Sequence, residues 1–246
     1  MTNSVFDRTR VPLRLWLYAM LTIANSAEGI ASENLARQLS VSRPTSLRML
    51  TRIKYHLAAL DAKVRLGHAS RPVLCRVITS RRIQNNQRNT RNIARILIFA
   101  DGTSIRTSVI FRPKRSDILA LIKSNIVDGA LLFTDCYWTS RTLSAYGTAK
   151  PLAHHVPNGL EHLHFHGDPI SGFASYFRQS FFDQYRGVTL EKFWLYLKEY
   201  EFRFNRRRTS SATFWDMISE FPDLADRDRR QLKDSCSRVN LRDDLN

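Results

Sequence analysis

The sequence predicts a chain of mixed α and β structure, α+β or α/β in class, with a helical N-terminal domain ahead of a mixed-sheet domain. Three observations predict it. Apolar residues recur at helical spacing between Leu13 and Leu57. From Arg71 the texture changes to short β-branched runs interrupted by one amphipathic helix. After Phe214-Trp215 the chain turns to charges of mixed sign. These changes divide it into residues 1–68, 69–210 and 211–246. The last is a charged helical tail whose final half is a solvated helix or a frayed end.

Pro12 to Asn25 reads as a helix. Leu13, Trp16, Leu17, Met20, Leu21 and Ile23 make its broad apolar face, and Pro12 suits its first turn. Glu28-Gly29-Ile30 is a turn, after which Ser32 is placed to cap a second helix, Glu33 to Leu39. The connector Ser40-Val41-Ser42 leads to a third helix that starts near Arg43-Pro44. Its spacing sets Leu47, Leu50, Ile53 and Leu57 on one face and Arg48, Arg52 and Tyr55 on another. Helix, tight turn and helix with a basic outer face is the pattern of a helix-turn-helix that reads the major groove. Leu35-Ala36-Arg37-Gln38-Leu39-Ser40-Val41-Ser42 looks like the core phrase common to such motifs. On that reading Arg43, Thr45, Ser46 and Arg48 lie nearest bases or phosphates, and Arg52 and Lys54 nearer the DNA backbone. A three-helix bundle with a solvated basic face fits the same residues.

Pro72 to Thr79 reads as a strand by its β-branched content. Ser80 to Asn92 carries Arg81, Arg82, Arg88 and Arg91 with no acid, which reads as a mobile basic loop able to touch phosphates or merely solvated. Ile93 to Ala100 is a strand, Asp101-Gly102 a hairpin turn, and Ile105 to Phe111 the return strand. Ser116 to Ile126 is an amphipathic helix. Ala130 to Asp135 is a continuous apolar run ending on a carboxylate, which suits a buried central strand.

Five of the seven histidines, His154, His155, His162, His164 and His166, crowd the next segment. The alternation of the last three puts them on one face of a strand, which fits either a transition-metal site or a polar, DNA-facing cluster. From Gly167 to Arg208 two amphipathic segments follow an Asp168-Pro169 turn and are separated at Arg186-Gly187. The stripe Phe193, Trp194, Tyr196 and Leu197 suits a core or a subunit interface, and Arg206, Arg207 and Arg208 beyond it suit phosphates.

At 246 residues the chain holds one large domain, or a small and a medium one. Basic residues outnumber acidic ones 38 to 22, a net charge of +16, and the resulting long-range positive field points to a polyphosphate partner. Three cysteines, far apart and without a CxxC pair, offer neither a zinc ribbon nor a disulfide framework. No apolar run reaches the ~20 residues of a membrane span, and MTNSVFDRTR lacks a signal-peptide core. The expected setting is cytoplasmic and nucleoid-associated, with no membrane partner.

The run Glu201-Phe202-Arg203-Phe204-Asn205-Arg206-Arg207 resembles the end of the catalytic domain in transposases of the IS1595 (ISXO2-like) group. Phe133-Thr134-Asp135-Cys136-Tyr137 resembles the segment that holds that group's second catalytic acid, and Leu143 to Gly147 the stretch that follows it. The order strand, strand, strand, helix, strand matches the ribonuclease-H-like fold of DDE transposases. The likeness covers roughly Pro12 to Arg208; the group's usual N-terminal zinc ribbon has no counterpart in this sequence. It implies a double-stranded DNA partner and a homo-oligomer, at least a dimer, on paired DNA ends.

Enzymes of this kind hold two Mg2+ or Mn2+ ions with three carboxylates or amides. The resemblance puts the second acid at Asp135 and the third ligand at Asp168. The first position falls on the strand Val73 to Thr79, which has no Asp or Glu and carries Arg76 about where the acid belongs. Asp61 comes too early, and Asp101 sits on the hairpin turn. Ser171 stands where the group usually has a Glu before the glycine, here Gly172. The expectation is therefore a transposase-derived DNA-binding protein that has lost strand transfer and needs no metal, repurposed as a regulator, an architectural factor or a nucleoprotein subunit. Two alternatives stay open: an active Mg2+- or Mn2+-dependent transposase, and a structural subunit of an RNA–protein assembly.

Overall fold

Leu13–Asn25 (α1), Ser32–Leu39 (α2) and Arg43–Asp61 (α3) are the first three helices, where the apolar spacing places them. The structure is a computed structural model and describes residues 3–68, 71–85, 90–111, 114–134, 149–151, 168–185, 188–207 and 210–239. Among the described residues five further helices follow: Arg115–Asn125 (α4), Pro169–Gln184 (α5), Leu190–Asn205 (α6), Ser210–Ser219 (α7) and Asp226–Cys236 (α8). Among the described residues no helix is long and apolar enough to cross a membrane.

Two compact units divide the chain, and neither is contiguous in sequence. The first comprises Met1–Lys63, Phe177–Gly187 and Leu195–Lys233; the second comprises Val64–Tyr176, Val188–Trp194 and Asp234–Asn246. Packing thus groups the N-terminal helices with segments from beyond residue 176, which composition along the chain does not do.

The core of the first unit joins Trp16, Met20 and Ile23 of α1 to Leu35 of α2 and to Leu50, Ile53 and Leu57 of α3. Phe202 of α6, Met217 of α7 and Leu224 complete it, so part of the charged tail is core. Three details differ from the expectation. Leu13 and Leu21, expected on the apolar face of α1, are 46% and 40% exposed, so the inward face is narrower than the apolar spacing suggests. Ser32 lies inside α2, whose N-cap is Ala31, and the Ser32 carbonyl accepts the Ser46 hydroxyl at 2.6 Å. Leu47 is 46% exposed and does not share the inward face of Leu50 and Ile53.

Gly29 precedes α2 at φ +94°, and a Cβ there would lie 2.5 Å from the Tyr185 hydroxyl. That hydroxyl accepts the Ile30 N–H at 3.2 Å. Gly29→Ala is therefore expected to destabilise the helical unit by about 2 kcal/mol or more, from left-handed strain plus displacement of Tyr185. Thermal melting by circular dichroism checks it; an unchanged midpoint would contradict it.

The second unit is built on a sheet of Val73–Asn85 (β1), Thr90–Ala100 (β2), Ile105–Phe111 (β3), Leu132–Thr134 (β4), Ala149–Pro151 (β5) and Ser237–Val239 (β6). Its order is β5-β4-β1-β2-β3-β6. β1, β2 and β3 form an antiparallel meander, β4 runs parallel to β1, and β5 runs parallel to β4. β6, from the end of the chain, adds a parallel strand beside β3. Tail residues expected as a solvated helix or frayed end therefore include a strand.

Asp101 shapes the β2–β3 turn, its carboxylate accepting the backbone N–H of Thr103 and of Ser104 at 3.1 Å each. Ser80 to Asn92, expected as a loop, is mostly strand: β1 runs to Asn85 and β2 begins at Thr90, with a register shift between Thr79 and Arg82. The physical reason is that Ile83, Thr90 and Ile93 keep the β-branched content that prolongs an antiparallel ribbon, and a bulge absorbs the misfit. Arg81 and Arg82 thus stand on β1 and Arg91 on β2, while Arg88 lies outside the described residues.

Candidate functional site

On β1, Val73 and Cys75 belong to the apolar cluster shared with Ile118, Leu121 and Ile122 of α4. Strand period then sends Arg76 to the opposite face of the sheet. There its guanidinium Nη1 donates to Asp168 Oδ2 at 2.5 Å and to Ser171 Oγ at 3.2 Å. Asp168 precedes Pro169, the first residue of α5, and acts as that helix's N-cap. Its Oδ1 accepts the N–H of Ile170 at 3.0 Å and of Ser171 at 3.2 Å, and its Oδ2 also accepts the Ser171 hydroxyl at 2.5 Å. Burial raises the Asp168 pKa, but the Ser171 hydroxyl, the Arg76 hydrogen bond and the Ser171 N–H outweigh it, so the carboxylate sits below its ordinary range.

A divalent ion does not fit these residues. A carboxylate offers about four lone-pair sites, and four donors already hold them on Asp168. One of those donors, Arg76, is a permanent cation, which repels a metal. Other acids have different work. Asp101 shapes its turn, and Asp61 receives Arg206 at 2.9 Å. No group of three or more His, Cys, Asp or Glu is placed to hold a metal among the described residues. Asp135, which follows Thr134 in sequence, lies outside the described residues, as do His154, His155, His162, His164 and His166.

The basic face of the helical unit begins at the α2–α3 turn. Ser40 closes α2 in the left-handed conformation, φ 52°, with its N–H returned to the carbonyls of Ala36 and Arg37. Val41 N–H reaches Ala36 at 3.1 Å. Ser42 caps α3 by accepting the Thr45 N–H at 3.4 Å, and its hydroxyl shares a hydrogen bond with Thr45 Oγ1 at 2.8 Å. Arg43 and Arg48 are exposed on α3, and neither pairs with an acid among the described residues. Arg52 donates to the carbonyls of Val5 and Asp7, anchoring the N-terminal segment. Burial lowers the Arg52 pKa, Arg229 and Arg48 lower it further, and Asp7 opposes them. Arg229 of α8 also lies over the Tyr55 ring, its guanidinium carbon 5.6 Å from the centroid. Arg229 was missed in the sequence because the mixed charges of α8 hide which member faces α3.

Of three other residues expected at a DNA surface, two are buried and the third is partly buried and engaged by acids. Ser46 is fully buried, its hydroxyl bonded to the carbonyls of Ser32 and Arg43. Lys54 is buried in an ion pair with Glu199 at 2.6 Å and sits over the rings of Tyr185 and Tyr196. Arg206 is held by Asp61 and Asp216, with its guanidinium carbon 3.7 Å from the Phe202 centroid. Those two acids raise its pKa against the lowering effect of burial. Arg207 is exposed but donates to the Phe204 carbonyl at 2.7 Å, and Arg208 lies outside the described residues. Within the aromatic-basic run, Glu201, Phe202, Arg203 and Phe204 are buried, so much of that run serves the core.

No protein-family model matches the chain, and no curated protein does. Among solved structures it is similar to a pre-cleavage Mos1 transpososome, at 12% identity and TM-score 0.35, and to the Mos1 strand transfer complex, at 11% and 0.33. Each alignment covers 95% of this chain and 82% of the other. Identity and structural similarity this low do not place the chain in a family.

Proposed function

We propose that this chain binds double-stranded DNA on a transposase-derived scaffold and neither cuts nor joins it. The observation that carries the reading is the α2–α3 arrangement. A three-residue turn presents Arg43 and Arg48 on the open side of α3, with Arg48 and Arg229 close enough to Arg52 to lower its pKa. Guanidinium groups held together in this way favour a polyanion, and a helix following a tight turn suits a major groove. The sheet supports the scaffold reading: an antiparallel β1-β2-β3 meander with parallel β4 and β5 added on the β1 side is the order a ribonuclease-H-like domain requires. The Arg76–Asp168 pair supports loss of chemistry, because the resemblance expects a metal ligand at each of the two positions and an arginine fills one of them. The protein works as a homodimer or larger assembly on DNA, in a regulatory or architectural role.

The test is a salt-titrated duplex-binding assay beside a Mn2+-supplemented cleavage and strand-transfer assay on supercoiled DNA. Steeply salt-dependent binding without cleavage is expected. Asp135→Ala should leave the affinity within about twofold, since it removes no phosphate contact. Cleavage that Asp135→Ala abolishes would overturn the inactive reading. Preference for structured RNA over duplex would overturn the DNA reading.

A further inference from the structure

We propose that Arg76 is a built-in replacement for a divalent cation: its guanidinium supplies, permanently and without metal, the positive charge that holds Asp168 at the head of α5. The inference rests on the ribonuclease-H-like reading of the sheet, in which the middle of β1 faces the ligand that opens the last helix.

The geometry is that of a filled site. Arg76 Nη1 bridges Asp168 Oδ2 and Ser171 Oγ, and Ser171 in turn donates its hydroxyl to the same Oδ2. The two ion-pair side chains are 26% and 34% exposed, so the pair is partly shielded from water and salt. An arginine stays charged at every pH a cell reaches, whereas a metal must be loaded. The carboxylate meanwhile caps α5 through Oδ1, a duty compatible with a fixed cation on Oδ2. Arg76 pairs with Ile98 of β2 and directly follows Cys75, the last residue paired with β4, so its backbone position is constrained. One change of side chain therefore decides whether the site carries its own cation or requires one.

The experiment compares the full chain with Arg76→Asp, Arg76→Gln and the double variants that add Asp168→Ala or Asp168→Asn. Mn2+ binding is read by electron paramagnetic resonance and melting temperature by circular dichroism. The natural chain is expected to take up no Mn2+ at this site and to melt at the same temperature with or without it. Arg76→Asp is expected to gain a Mn2+ site and a melting temperature that rises with Mn2+, and Arg76→Asp with Asp168→Ala to lose both. If Arg76→Asp does not fold in metal-free buffer, Arg76→Gln decides. Its melting temperature should fall by several degrees, and adding Asp168→Asn should recover part of that loss. A melting temperature of Arg76→Gln equal to that of the natural chain would overturn the proposal. So would Mn2+ uptake by the natural chain that Asp168→Ala removes, or a folded Arg76→Asp that ignores Mn2+. Salt-dependent duplex binding is measured on the same preparations. Its absence in the natural chain would refute the DNA reading alone, and the metal results bear on this inference alone.

Discussion

Glu199→Ala is expected to destabilise the helical unit by about 3–5 kcal/mol, because it strands two buried cations. Glu199 lies on α6, fully buried. Its Oε2 receives Lys54 at 2.6 Å and its Oε1 receives Arg203 at 2.5 Å, one helical turn away. The Tyr185 hydroxyl donates to the same carboxylate at 3.2 Å, and Arg203 Nε reaches the Ile23 carbonyl at 3.2 Å. Removing this anion takes from Lys54 and Arg203 the counter-charge they share, in a setting where water cannot replace it. Urea or thermal unfolding followed by circular dichroism measures the loss. Lys54→Met in the Glu199→Ala background should return part of it, since the methylene stem is kept and one stranded charge removed. If Glu199→Ala costs under about 1 kcal/mol, in the range of exposed pairs, the network is not buried as described.

The pH dependence follows from the same group. Burial pushes Glu199 up, but Arg203 and Lys54 together hold it below its ordinary value of 4.5. A carboxylate depressed in the fold contributes stability that is fully present above that ordinary value and is lost as pH falls through the lower, folded one. Acid unfolding below pH 4.5 should therefore be steeper in the natural chain than in Glu199→Gln.

Arg43→Ala combined with Arg48→Ala is expected to weaken duplex binding on the order of 30-fold or more at moderate salt, about 1 kcal/mol or more for each lost contact. The plot of log affinity against log salt should flatten by about 0.9 for each phosphate contact removed. Fluorescence anisotropy across a salt series separates the two effects. Arg229→Ala should weaken binding in the same direction, and Lys54→Met should act through stability instead, because Lys54 is paired inside the fold. Unchanged affinity and slope in a folded Arg43→Ala, Arg48→Ala double variant would remove α3 from the DNA surface.

Local order was legible from side chains alone. The spacing of Trp16, Met20 and Ile23 and the β-branched runs ended by Asp101-Gly102 specify their elements because each depends on neighbours within a turn or a pleat. The absence of an acid at Arg76 was visible for the same reason: it is a property of one strand. What that arginine does was not visible, since its partner Asp168 is distant in sequence and meets it only when β1 and the head of α5 come together. The basic residues divide along the same line. Arg43 and Arg48 stay exposed, whereas Lys54 and Arg206 are taken by Glu199 and Asp61, acids far along the chain. Helical periodicity marks a face as basic, but only tertiary packing decides whether a charge on it meets solvent or a buried counter-ion. Burying a charge is tolerable only where the fold supplies that partner.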